Sequence, residues 1–86
     1  MMQQHNGYWI SGTALPGPPY TTYWESMGTV LKPGRSGSVV EVGRIQDPGF
    51  TFELQELAAS WGMELARIVV DEYLTPILTR ISAVLH

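Results

Sequence analysis

The chain contains no cysteine, which excludes disulfides and thiolate metal sites. Histidine is nearly as scarce. His5 and His86 stand near opposite ends with no acidic cluster beside either, and zinc takes three or four clustered ligands. No metal and no cofactor is expected, and both histidines read as unstructured terminal residues. Cations are few: Lys32, Arg35, Arg44, Arg67 and Arg80 stand against eight carboxylates, for a net charge of -3. Nucleic-acid binders carry a basic stripe that releases counterions, so nucleic acid is not an expected partner. No apolar run approaches the ~20 residues of a membrane span. The first 24 residues hold no Asp, Glu, Lys or Arg. They also lack a basic leader and a continuous apolar stretch, so they do not read as a signal peptide.

What is present points to a packed fold. Of 86 residues, 44% are hydrophobic and three are Trp, a balance of globular rather than disordered chains. The length fits one domain, small enough that only about 60–65% of the unfolded surface is buried. Residues 1–6 read as a flexible terminus, 7–52 as a sheet and 53–86 as helical. Tyr8 to Ala14 has strand composition. The proline cluster from Leu15 to Pro19 makes a stiff connection. Thr21 to Leu31 and Ser38 to Gln46 form an antiparallel hairpin across the turn cluster Lys32 to Gly37. Gly28 and Gly43 inside these strands mark bulges or the close approach of another layer. Asp47-Pro48-Gly49 suits a turn, and Phe50-Thr51-Phe52 reads as a short strand or a hydrophobic lead-in to a helix.

Glu53 to Leu74 has helical periodicity. Its polar stripe holds Glu53, Glu56, Ser60, Glu64, Arg67 and Asp71; Leu54, Leu57, Ala58, Trp61, Leu65 and Ile68 lie opposite. The apolar arc is roughly twice the ~100° that packing on one layer needs, which predicts burial on two sides. The pattern runs in phase through Gly62, favouring one helix with a close contact there. Arg67 is placed to offset Asp71 at i,i+4 spacing. Thr75-Pro76 then caps a second helix with the stripe Ile77, Leu78, Ile81, Val84 and Leu85. The fold class is α+β: a three- or four-stranded antiparallel sheet, a long helix on one face and a short C-terminal helix. The expected core is Ile10, Val30, Val40, Val42, Phe52, Leu57, Trp61, Leu65 and Ile68.

Candidate sites are sparse. Among the aromatics Tyr8, Trp9, Tyr20, Tyr23 and Trp24, strand alternation sends one of each adjacent pair outward. Trp9, Tyr20 and Trp24 thus offer an apolar groove, with Lys32 or Arg35 available to an anion. Gly34-Arg35-Ser36-Gly37 matches the GxxG of KH domains, but there the loop joins helices; between strands it reads as a hairpin turn. Pro16-Gly17-Pro18-Pro19 fits PxxP, a pattern common by chance. Asp71 and Glu72 close the long helix where its dipole disfavours carboxylates, and Glu72 projects from the apolar stripe. No Ser, Thr or Cys has a base beside it, so no nucleophilic constellation is present.

The segments YWISGTALPGPPYTTYW, GSVVEVGRIQDPGF and LARIVVDEYL resemble those of small, uncharacterised bacterial proteins of about this length. The resemblance covers most of the chain, implies a cytoplasmic bacterial origin and transfers no site residue. The leading expectation is a non-enzymatic interaction module that forms a homodimer. The alternatives are a small-molecule or anion binder using the aromatic groove, and a small enzyme using Asp71 or Glu72.

Overall fold

A computed structural model describes residues 2–74; the expected second helix, from Thr75-Pro76 through the stripe ending at Leu85, lies outside them. The first hairpin is set by two residues. Asn6 and Gly7 take positive φ values of 49° and 85°, as a two-residue type I′ turn requires. Met2–His5 (β1) folds back on Tyr8–Pro16 (β2), with His5 opposite Tyr8 and Met2 opposite Ser11. The expectation of a frayed residue 1–6 segment is therefore corrected: Met2 to His5 is a strand, because the Asn-Gly turn returns it to a partner. His5 is correspondingly ordered in that strand.

Trp24–Pro33 (β3) pairs antiparallel with β2, Pro16 opposite Trp24 and Ile10 opposite Val30. In the connection the Gly17 amide donates to the Tyr23 carbonyl at 2.9 Å, and the Thr21 hydroxyl donates to the Pro18 carbonyl at 2.7 Å. A short 3-10 turn at Arg35–Gly37, with Ser36 and Gly37 at φ 59° and 74°, leads into Val39–Phe52 (β4). The sheet order is β1-β2-β3-β4, all antiparallel.

β4 runs through Asp47-Pro48-Gly49, where the sequence suggests a turn. Val30 faces Gly43 but Leu31 faces Glu41, so Val42 is inserted. Ser26 faces Asp47 but Trp24 faces Phe52, so residues 48–51 bulge against Glu25 alone. Pro48 has no amide to give a ladder, and an edge strand tolerates both devices.

The long helix, Gln55–Val69 (α1), passes unbroken through Gly62 and continues as a wider π-helical turn over Val70–Leu74. It begins two residues later than the pattern suggests: Leu54 occupies the cap position, without a side-chain cap bond. It lies across one face of the sheet, mainly over β2 and β3. At the centre backbone meets backbone. Gly12 and Gly28 are cross-strand partners. A Cβ on Gly12 would strike the Ala59 carbonyl, one on Gly28 would stand 2.8 Å from the Ala66 nitrogen, and one on Gly62 would stand 3.1 Å from the Gly12 Cα. Around this seam Ile10, Val30, Ala66 and Val70 are fully buried, with Tyr8, Met63, Val69 and Leu74 packed against them.

Ile10, Val30 and Leu65 are buried as expected, and Phe52 and Trp61 are half-buried. Four expected core residues are exposed instead: Val40 at 45%, Val42 at 36%, Leu57 at 52% and Ile68 at 41%. The reason is the glycine seam. Close approach selects Ala58, Gly62 and Ala66, spaced four apart on one helix face, and turns the larger stripe to the flank. Val40 and Val42 are exposed because α1 lies mainly over β2 and β3, and β4 ends the sheet order among the described residues. Arg67 also differs from expectation, pairing with Glu64 at 2.9 Å rather than with Asp71.

Candidate functional site

The flank of α1 that carries Leu54, Leu57, Trp61 and Ile68 overhangs β4. Trp61 fixes this orientation: its indole N–H donates to Asp47 Oδ2 at 3.0 Å, and its ring lies 6.1 Å from that of Phe50. Asp47 Oδ1 accepts the Gly49 amide at 3.1 Å. One carboxylate thus ties the β4 bulge to the helix. β4 exposes Val39, Val40, Val42 and Phe50, and the helix flank exposes Leu54, Leu57 and Ile68. On the far face of the sheet, Glu41 and Arg44 bond each other at 2.7 Å.

The other flank of α1 is different. Ala59 and Met63 sit over Gly12, and with Glu56, Ser60 and Glu64 they line an open cleft of about 420 Å³. Glu64 is occupied by Arg67. Among the described residues no group of three His, Asp or Glu is arranged to hold a metal ion.

The C-terminal end of α1 meets the first hairpin. Asp71 Oδ1 is 2.7 Å from His5 Nε2 and accepts the Asn6 side-chain amide at 3.0 Å. This contact pins β1 to the helix. The disfavoured placement of Asp71 at a helix end is thereby explained by a tertiary contact. Glu72 is exposed in the π-helical turn.

The fold does not assemble the aromatic groove. Trp9 faces Leu31 across the β2–β3 ladder, and Trp24 lies seven residues away along β3. That is about 23 Å, and an odd spacing puts the two indoles on opposite faces. Tyr20, at φ 64° and fully exposed, joins Trp24 in the connection between β2 and β3, where residues 16–24 surround a cavity of about 310 Å³. Lys32 and Arg35 stand at the Trp9 end, remote from Tyr20 and Trp24.

Sequence reasoning missed the bonding role of Asp47 and the exposed β4 side. Glu41 and Arg44 would lie on opposite faces of a regular strand, so their proximity depends on the inserted Val42. Gly43, beside that insertion, was the one signal of it. No helix among the described residues is long and apolar enough to cross a membrane. No family model, curated protein or solved structure matches the chain.

Proposed function

We propose that this chain is a non-enzymatic interaction module that self-associates through the β4 side of the molecule. One observation carries the reading: β4 and the helix flank tied to it through Trp61 and Asp47 expose the large apolar residues Val40, Val42, Phe50, Leu54, Leu57 and Ile68. The opposite helix flank presents Glu56, Ser60 and Glu64 instead. Scattered surface apolar residues are ordinary, whereas a contiguous patch marks an interaction surface. The central seam of α1 on the sheet supports the reading as well, because it leaves Leu54, Leu57 and Ile68 exposed.

Sedimentation velocity across a micromolar-to-millimolar range tests it. The chain is expected to shift toward dimer with concentration, and Leu57→Glu to abolish the shift. Leu57 is half exposed, so that substitution is expected to change stability by no more than about 0.5 kcal/mol. A chain that stays monomeric throughout the range removes the proposal.

A further inference from the structure

We infer that two copies of this chain pair edge to edge along β4, antiparallel, with Glu41 of each copy opposite Arg44 of the other. Resting on the self-association proposed above, the pairing names the strand and the register.

β4 ends the order β1-β2-β3-β4 and has a sheet neighbour on one side only among the described residues. A long open edge with exposed valines is a template for a further strand. β1, the other edge, is four residues long and reads Met-Gln-Gln-His, a poor template. Along β4 the bulge over residues 48–51 limits regular pairing to the stretch from Val39 to Gln46.

Within that stretch the chain complements itself. Antiparallel pairing about a two-fold axis between Val42 and Gly43 sets Glu41 opposite Arg44, Val40 opposite Ile45 and Val39 opposite Gln46 of the second copy. A two-fold axis normal to a sheet preserves its faces, so each pair must already share a face. They do. Glu41 stands opposite Leu31 and Arg44 opposite Thr29, two apart on β3; Val40 stands opposite Lys32 and Ile45 opposite Gly28, four apart. The even spacings put each pair on one face. A regular strand forbids this odd register, and the inserted Val42 permits it. Opposite charges directly across a ladder attract, and like charges repel. The exposed Glu41–Arg44 bond within one chain, at 2.7 Å, exchanges for two symmetry-related bonds between chains. The paired sheets also bring the flanks of both helices, with Leu57, Trp61 and Ile68, toward each other over the two central strands.

Charge reversal tests the register. Glu41→Arg or Arg44→Glu each leaves like charges facing at both symmetry-related positions. Each is expected to weaken dimerisation roughly tenfold or more. Mixing the two variants restores opposite charges at every position, so a heterodimer is expected from two monomeric parents. Both side chains are exposed, and circular dichroism checks that each variant folds. Amide exchange from Val39 to Gln46 in the unaltered chain is expected to slow as concentration rises. A dimer unchanged by either reversal, a mixture that stays monomeric, or concentration-independent exchange along β4 overturns the pairing while self-association stands. A chain monomeric at every concentration overturns both.

Discussion

Gly12, Gly28 and Gly62 occupy the positions where α1 rests on the sheet, and each would drive a Cβ into backbone atoms of the facing element. In an exposed helix, Gly62→Ala would gain about 1 kcal/mol. Here it is expected to cost about 2–3 kcal/mol, as overpacking does, and Gly28→Ala about the same. Gly43→Ala is the control, since its Cβ would meet Val69 Cγ1 at an ordinary 3.6 Å; it is expected to lie within about 0.5 kcal/mol of the parent. Denaturant titration of the three variants separates them, and equal effects at Gly43 and Gly62 would sink the seam. Ser26 sits beside this seam, fully buried, and its hydroxyl has no hydrogen-bond partner among the described residues. An unsatisfied buried hydroxyl costs about 1–3 kcal/mol. Ser26→Ala is expected to be neutral or to stabilise by about 1 kcal/mol, and a loss of comparable size in the same titration would reveal a bonded hydroxyl. At this scale Gly62 and Gly28 were legible as points of close approach. Ser26 was not, because its burial follows from a helix position that strand alternation alone does not specify.

Among the elements, α1 and β4 depend on each other. Asp47 bonds the Gly49 amide and the Trp61 indole, so a strand irregularity also sets the side of the helix that leans on the edge. Trp61→Phe and Asp47→Ala are each expected to cost about 1.5–3 kcal/mol, the net worth of a hydrogen bond to a charged acceptor. The double variant is expected to cost less than their sum by about 1 kcal/mol. Additive losses in a double-mutant cycle of thermal unfolding would show that the bond contributes nothing. The sequence made the helix plain through its 3.6-residue period, but not which arc faces the sheet. Large residues usually decide that question; here Ala58, Gly62 and Ala66 do, and the hydrophobic stripe is misleading as a guide to burial. β4 was harder still. Asp47-Pro48-Gly49 has turn chemistry, and only its place on an edge lets a strand carry it as a bulge. Asn6-Gly7 carried a hairpin signal in plain view, outweighed by the usual fraying of first residues.

For the whole molecule, the aromatic groove dissolved because strand length separates Trp9 from Trp24, a distance that composition does not convey. Much of the surplus apolar surface that the sequence signalled lies on β4 and the helix flank beside it, where edge pairing would gather it into a shared layer. Its orientation has an unexpected origin. Gly62 is flanked one turn away on either side by Ala58 and Ala66, so sliding α1 by a turn, about 5.4 Å, would bring a methyl onto the seat where only hydrogen fits. Rotation meets the same obstruction. The helix is thus indexed like a key in a lock with one notch, and Gly12, Gly28 and Gly62, which bring no side chain to that seat, determine where every other side chain of the helix points.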